Sequence, residues 1–428
     1  MYNFFFALFV SLFFVACSAI DKEAPAPNKK TFAQEDAYIM FALRAEEVQS
    51  YKTAAKLFEE LYQNSHKEEY LYRSLQNLYM AKEYEQVIAT VQKYSKQNFD
   101  DSKLMRYKIV ALAESGQTAQ AQNLAIALAK ETKEPNDYIL TADIYAKEHR
   151  FDEALKYLES AYAKEYNEKI LDKIAIILYV NLSRKKDAIA ELETHTRMHG
   201  CSELICNRLI GFYSNENNID GLLSVYKRKY ALSKESEIAK KIIQIYGYKR
   251  DYIKLMTFLQ ESHEDDELLL QLYLSAKDFD KASSMAYSLY EKEGSYDYLG
   301  QSAIYEYEAN KDALNKKLLD DVIEKLTIVA DRSSDPLFKN YLGYILIDHD
   351  IDVVKGMEYV REVLKAKPNS GYYLDSLAWG YYKLGDCKRA KELMLKVKKL
   401  EGGDDPEVEL HLKKINECLK NKTKKGQK

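Results

Sequence analysis

Residues 335–370 read DPLFKNYLGYILIDHDIDVVKGMEYVREVLKAKPNS, and residues 371–403 read GYYLDSLAWGYYKLGDCKRAKELMLKVKKLEGG. Each stretch fits a helix, a short turn and a second helix. A small residue lies near the start of each second helix, Gly356 in one and Ala390 in the other, 34 residues apart. Apolar residues such as Val360 follow at helical spacing. The two stretches therefore predict two consecutive copies of one helical-hairpin unit.

The same position recurs through the first half of the chain. From residue 35 onward, steps of 33, 34, 33, 34 and 34 residues separate Ala54, Val87, Ala121, Ala154, Ala188 and Leu222. A slip of one residue would turn the apolar positions off the buried face, so this register is hard to produce by chance. Between 224 and 330 the period loosens. There we predict hairpins over 236–262 and 265–294, and a longer one with an extended connection around 309–314.

The repeat resembles the tetratricopeptide-repeat family, and LDSLAWGYYKLGD followed by Ala390 is its most typical piece. Only six prolines and 15 glycines interrupt the chain, which suits near-continuous helix. We predict an all-α fold, a right-handed α-solenoid of about 11 stacked helical hairpins. Degenerate hairpins would fill 34–334, two well-formed units 335–403, and a capping helix 404–421. The resemblance implies a non-catalytic protein-binding scaffold.

The N-terminus predicts export. Residues 1–16 form an uncharged apolar run that ends at Cys17. This segment resembles the signal peptide of a bacterial lipoprotein, which implies lipidation of Cys17, and Ser18 implies the outer membrane, facing the periplasm. An ordinary cleaved secretory signal is the alternative. Residues 17–33 read as a lipidated flexible tether, and 422–428 as a basic disordered tail.

Composition and motifs argue against two classes of function. The chain has 63 basic and 67 acidic side chains and a formal charge of −4, so it lacks the basic field that nucleic-acid binding needs. No phosphate-binding glycine loop, nucleophile elbow or metal-protease motif occurs in the sequence. We therefore predict no catalytic residue, no cofactor and no metal, and the chain is not expected to be an enzyme.

One group of residues has metal-like character. His195 and His199 are four residues apart, and Cys201 and Cys206 follow them. Their spacing fits neither a zinc protease nor a zinc finger, and His195 falls at a packing position of the repeat, so we favour a structural role. The cysteines leave two alternatives open. Either Cys201 pairs with Cys206, and Cys387 with Cys418, or all four are small buried thiols.

The resemblance places the first helix of each hairpin along a concave groove. In the last two units this implies a partner-binding groove lined by Tyr344, Tyr372, Asp375, Trp379 and Tyr382. Packing between units is the alternative for Tyr372 and Tyr382. For Trp379 we predict exposure, because Leu377 and Ala378 already occupy the inward stripe.

Such a groove suits a helix or an extended segment of another envelope protein. Its aromatic side chains offer large contact area at small entropic cost. Assembly or secretion of envelope components is the favoured role, for example as a subunit of a pilus, flagellar or outer-membrane-protein assembly machine. The alternative is regulation of a peptidoglycan enzyme, or binding of glycan strands by the tyrosine-rich groove.

Overall fold

The computed structural model describes residues 30–95, 102–400 and 402–425, with side chains as far as residue 421. Every regular element in these ranges is a helix. None of the described helices is both long enough and apolar enough to cross a membrane. The predicted signal peptide, Cys17 and most of the tether lie outside the described residues.

The chain divides into two compact units, and the boundary after Val225 falls inside the helix α12, Ile219–Ser233. In the N-terminal unit, the helix α9 (Glu168–Ile176) continues into a wider π-helical turn over Ile177–Asn181. The helices of this unit are α1 Glu35–Glu47, α2 Tyr51–Ser65, α3 Glu68–Met80, α4 Tyr84–Tyr94, α5 Ser102–Glu114, α6 Thr118–Thr132, α7 Pro135–Lys147, α8 Phe151–Glu165, α9 Glu168–Ile176, α10 Lys185–His199 and α11 Glu203–Asn215.

The C-terminal unit begins within α12 and ends in a single unpaired helix. Its helices are α13 Ser236–Lys249, α14 Tyr252–Ser262, α15 Asp266–Ser275, α16 Phe279–Glu293, α17 Tyr296–Asn310, α18 Lys316–Ala330, α19 Pro336–Asp348, α20 Val353–Ala366, α21 Gly371–Lys383, α22 Cys387–Val397 and α23 Pro406–Lys425. The irregular hairpin predicted around 294–336 is α17 and α18, joined by residues 311–315. Helix α23 runs through Lys425, into the stretch 422–428 that was predicted to be a disordered tail.

Consecutive helices pair into hairpins, and within each unit a hairpin packs on the hairpins before and after it. The predicted all-α fold of consecutive helical hairpins is confirmed. The position that recurs in the sequence is the fourth residue of the second helix of a pair. It is fully buried at Ala54, Val87, Ala121, Ala154 and Ala188 and half-buried at Leu222.

Small residues at this position let the two helices of a hairpin approach closely. At Gly356 a β-carbon would lie 2.6 Å from the carbonyl oxygen of Gly343 and 2.8 Å from Cγ1 of Ile347. At Gly343 a β-carbon would lie 2.7 Å from the carbonyl oxygen of Gly356. These distances are below van der Waals contact, so α19 and α20 can meet only because both positions lack a side chain.

The turns inside the hairpins repeat with the same period. In the N-terminal unit the middle residue of each three-residue turn has a left-handed backbone, with φ between 51° and 85°, at Gln49, Lys82, Gly116, His149, Ser183 and Asn217. Only one of these residues is glycine, although the left-handed conformation costs other residues about 1–2 kcal/mol. Hairpin packing therefore imposes the turn conformation on whichever residue falls there.

The carboxyl group of Glu35 anchors the start of the N-terminal unit. It is buried, and it accepts hydrogen bonds from Nζ of Lys67 at 2.6 Å, the Tyr70 hydroxyl at 2.9 Å and the backbone N–H of Thr31 at 2.7 Å. Burial alone would raise the pKa of Glu35, but these hydrogen bonds outweigh it and lower the pKa from 4.5 to about 2. The anchor ties α1 to the second hairpin.

Substitution of Gly356 tests the close approach. Gly356→Ala should lower the free energy of unfolding of the C-terminal unit by about 1–3 kcal/mol, because the added methyl group meets backbone that cannot move aside. Gly247→Ala in α13 is the matched control, since a β-carbon there meets nothing within 4 Å. The control should be neutral or stabilising by up to about 1 kcal/mol. Urea unfolding followed by circular dichroism measures both, and equal effects would contradict the account.

Glu35 predicts a pH dependence. Since its folded pKa is depressed, the stabilisation is fully present above its ordinary pKa of 4.5 and is lost as the pH falls through about 2. Glu35→Gln should therefore destabilise the N-terminal unit at pH 7, and the difference from the unsubstituted chain should shrink toward pH 2. Urea midpoints across this range test it, with the exposed Glu69→Gln as the control. A difference that does not change with pH would count against the anchor.

Candidate partner-binding face

The five predicted groove residues lie on the first helices of the last two hairpins, Tyr344 on α19 and the other four on α21. Tyr372 is 60% exposed, and Tyr344 and Tyr382 are half-buried. Asp375 and Trp379 are buried. We call the surface formed by Tyr344, Asp375, Trp379 and Tyr382 the terminal face.

The prediction that Trp379 is exposed is wrong, since its side chain is only 2% exposed. Helix α23 covers it, and the His411 ring stacks on the indole with ring centres 4.0 Å apart and planes at 16°. Tyr382 stacks on Trp379 as well, at 4.6 Å and 17°. Leu377 and Ala378 do fill the inward stripe as expected. Leu377 and Ala378 define the stripe of one hairpin, whereas Trp379 is buried by the helix that follows that hairpin.

Asp375 is also buried, because it holds the same histidine. Nδ1–H of His411 donates to the Asp375 carboxylate, with distances of 2.9 and 3.1 Å to its two oxygens. Trp379 lies one helical turn further along α21. Since it stacks against the ring that Asp375 hydrogen bonds, the two residues fix His411 in both position and orientation.

Asp348 and Lys383 complete the support of Trp379. The indole N–H donates to the Asp348 carboxylate at 2.8 Å. The ammonium of Lys383 donates to the backbone carbonyl of Asp348 at 2.6 Å and to the Asp350 carboxylate at 2.8 Å. The buried N–H of Trp379 is thus satisfied within the C-terminal unit, as a buried tryptophan requires.

Tyr344 joins the preceding hairpin to α23. Its hydroxyl donates to the Glu407 carboxylate, and its ring centre lies 6.4 Å from that of His411. Burial raises the pKa of Tyr344, and the hydrogen bond to Glu407 raises the pKa further. The phenol therefore stays protonated at neutral pH and acts as a hydrogen-bond donor.

An aromatic row extends this contact back to α17. Tyr307 packs edge-on against Tyr341 at 6.0 Å, and Tyr341 lies 6.5 Å from Tyr344. The Tyr341 hydroxyl donates to Glu308, and the Tyr307 hydroxyl lies 3.0 Å from Nε2 of His349. Burial raises the pKa of both phenols. Sequence reasoning missed this row, although the spacing of 34 between Tyr307 and Tyr341 matches the repeat period.

A disulfide holds α23 in place. Cys387, the first residue of α22, is bonded to Cys418 of α23, with Cα atoms 6.1 Å apart. Cys201 is bonded to Cys206. Of the two alternatives that the cysteine spacing left open, the structure therefore has the paired one at both places.

An open cleft of about 640 Å³ lies beside the disulfide. Its walls are mostly polar and come from α21 and α23 and from the turn after α19. The lining residues are Asp350, Trp379, Tyr382, Lys383, Lys414, Glu417, Cys418 and Asn421. Charges of both signs line this cleft, and one wall carries the edge of the disulfide.

The histidine pair lies in the N-terminal unit and packs as a structural element. His195 is buried; its Nδ1 is 2.6 Å from the Tyr162 hydroxyl and its Nε2 3.2 Å from the Glu168 carboxylate. The His199 ring lies 4.8 Å from the His195 ring. Among the described residues no group of three or more His, Cys, Asp or Glu side chains could hold a metal ion.

The first helices of the N-terminal unit present a different surface. Ion pairs join successive first helices there: Arg73 with Glu46, Arg106 with Asp137, Lys173 with Asp143, and Arg208 with Asp172. Arg106 and Arg208 each contact their aspartate through two N–H groups. The sequence analysis did not predict these four ion pairs between first helices.

Comparisons with known proteins give a fold likeness only. No family model matches the chain, and neither does any curated protein. Among solved structures, a chain of Naa15/Naa10 bound to HypK-THB has 14% identity and a TM-score of 0.29 over 88% of this chain and 65% of that one. This chain thus spans about two thirds of that neighbour.

Two further solved structures are similar to this chain. A chain of the APC/C hetero-tetramer Cut9-Hcn1 has 11% identity and a TM-score of 0.36 over 90% of this chain and 97% of that one. MamA residues 41-end from Desulfovibrio magneticus RS-1 has 15% identity and a TM-score of 0.32 over 39% and 96%. Values this low transfer no function, so the fold described above rests on the helix pairing of this chain itself.

The buried position of Trp379 leads to a prediction opposite to that for an exposed tryptophan. Trp379→Ala should lower the free energy of unfolding of the C-terminal unit by about 3–5 kcal/mol, the usual loss for a large buried aromatic side chain. Tyr372→Ala, one exposed tyrosine on the same helix, should change it by less than about 0.5 kcal/mol. Thermal unfolding compares the two variants, and a Trp379→Ala melting curve like that of Tyr372→Ala would contradict the packing described.

Proposed function

We propose that this chain is a non-catalytic scaffold that binds helical segments of other proteins. The observation that carries the proposal is the terminal face, which already holds a helix. It does so with a stacked ring, a carboxylate and a phenol donor, three groups that contact α23 at Glu407 and His411. Laying an amphipathic helix on an aromatic surface is a common mode of peptide recognition.

The hairpin stack supports this proposal physically. Each hairpin buries its apolar stripe against its neighbours only, so the outer sides of the first helices remain available for contact along each unit. Tyr372 is exposed beside the terminal face and offers a rigid aromatic contact. Aromatic side chains of this kind dominate binding energy in protein interfaces.

We further propose that the scaffold is a lipid-anchored protein of the bacterial envelope, held at the outer membrane on its periplasmic side through Cys17. The apolar run before Cys17 and the polar stretch after it support anchoring. The two disulfides support export, because disulfides persist in oxidising compartments. Assembly or secretion of envelope components is the role that fits such a location.

The anchor is tested by replacing the cysteine. Cys17→Ser should move the protein from the membrane fraction to the soluble periplasmic fraction and abolish its labelling by an alkyne-tagged fatty acid. Cys201→Ser is the control and should remain labelled, since Cys201 is buried in a disulfide. Fatty-acid label on the Cys17→Ser protein would contradict the proposed lipid site.

Partner class is tested by photo-crosslinking in intact envelopes. A photoreactive phenylalanine at Tyr372 should yield adducts with discrete proteins. The matched control is Tyr248 on α13, which is 78% exposed but lies away from the terminal face in sequence and helix. Discrete protein adducts at Tyr372 and none at Tyr248 support the scaffold. Retention on purified sacculi without protein adducts would instead support glycan binding, and would overturn the proposed protein-binding role.

A further inference from the structure

Helix α23 contacts the terminal face through polar groups and the rest of the last hairpin through apolar ones. Of its described side chains, only Val408, His411 and Ile415 are buried, and Val408 and Ile415 pack in the apolar cluster of α21 and α22. His411 is the one that enters the terminal face, where it is held by Asp375 and Trp379. If α23 left, the Asp375 carboxylate and the Trp379 indole would lose this partner. Leaving such buried polar groups without a partner costs free energy, so another partner must replace His411. The terminal face therefore requires an occupant that supplies these polar contacts.

The covalent bond between Cys387 and Cys418 is what makes α23 a permanent occupant. Without this bond, only side-chain contacts and the short connection after α22 would hold α23 on the last hairpin. Cys387 is buried, whereas Cys418 is half-buried and lines the open cleft. A thiol reagent can therefore reach the disulfide from the side of Cys418.

We propose that the terminal face is a binding site for an amphipathic helix of a partner protein, that α23 is the internal substitute for that helix, and that the Cys387–Cys418 disulfide determines which of the two occupies the face. This inference rests on the proposed scaffold function and names its partner class. The oxidised chain keeps the face closed, and the reduced chain can exchange α23 for the partner.

The contacts of α23 define the chemistry of the partner helix. Glu407 accepts the hydrogen bond of Tyr344, and the ring of His411 lies between Asp375 and Trp379. Nζ of Lys414 lies 5.1 Å from the centre of the Trp379 ring, and Ile415 is buried. The partner helix should therefore carry an acidic residue, a flat hydrogen-bonding ring one turn later, and a cation followed by an aliphatic residue in the next turn.

Opening of the disulfide follows ordinary thiol exchange with a dithiol reductant. A thiolate of the reductant attacks the Cys418 sulfur, and Cys387 leaves as a thiolate and takes up a proton. The second thiol of the reductant then displaces Cys418, which also becomes a protonated thiol. The reductant ends as a disulfide, so two electrons and two protons pass to the cysteine pair.

After reduction α23 still competes from within the chain, where its effective concentration is high. A test of the empty face must therefore weaken the internal helix as well as its disulfide. His411→Ala in the chain removes the residue that enters the face, while a peptide added from solution still carries it. Any preference of the terminal face for the peptide over α23 then reports the contribution of His411.

The binding experiment uses the full chain and a fluorescein-labelled synthetic peptide of residues 404–425 with Cys418→Ser. By fluorescence anisotropy, the dissociation constant of this peptide should be at least about tenfold lower for the chain with Cys387→Ser, Cys418→Ser and His411→Ala than for the oxidised, unsubstituted chain. A peptide with His411→Ala should lose that binding, and a control peptide with the exposed Lys413→Ala should keep it.

Hydrogen exchange provides the second measurement, on the unsubstituted chain. Reduction by dithiothreitol should speed amide exchange in α23 at least about tenfold and leave α21 protected. Equal amide exchange of α23 in the oxidised and reduced chains overturns the proposal. So does a peptide that fails to bind, or one that binds equally well with and without His411→Ala. Failure of the exchange proposal is distinguishable from failure of the scaffold function. The scaffold function is tested by protein crosslinks at Tyr372 in envelopes, in a chain whose α23 is unchanged.

Discussion

The structure depends on how closely the two helices of a hairpin can approach at one recurring position. That position is the fourth residue of the second helix, and in the well-formed hairpin of α19 and α20 it is Gly356, in contact with Gly343. Where the residue is alanine or valine it is fully buried at the same place, as at Ala154 and Val87. Close approach fixes the axis distance of each pair, and the pair then presents a stripe of fixed width to the next hairpin. Regular spacing in sequence follows from this constraint.

The first and the last described helices are covered differently. Helix α1 has the apolar side chains Met40 and Phe41 exposed, although Glu35 ties it firmly to the next hairpin. At the other end α23 covers the last hairpin with Val408 and Ile415 and reaches across to Tyr344 with Glu407. The terminal helix thus performs two tasks. It shields an apolar face, and it also occupies an aromatic and acidic surface.

The sequence predicts the hairpins because the residues that form each hairpin are close in sequence and recur with the repeat period. Helix pairing, the buried fourth position and the irregular connection between α17 and α18 all follow from residues within one period. The surroundings of Trp379 could not be predicted in the same way, since His411 and Asp348 come from two other helices, 32 and 31 residues away. The Cys387–Cys418 pairing was open for the same reason, because sequence spacing gives no distance between α22 and α23. Four of the five predicted groove residues meet at the terminal face, but the prediction left out α23, which occupies that face.

Trp379 reports whether α23 covers the terminal face. The chain contains one tryptophan, so intrinsic fluorescence reports on Trp379 alone. If α23 covers the terminal face, the oxidised chain should show blue-shifted emission and little quenching by acrylamide, and reduction together with His411→Ala should shift the emission to the red and open the indole to the quencher. Emission typical of a water-exposed indole and free quenching in the oxidised, unsubstituted chain would contradict the central claim that a helix lies on this face.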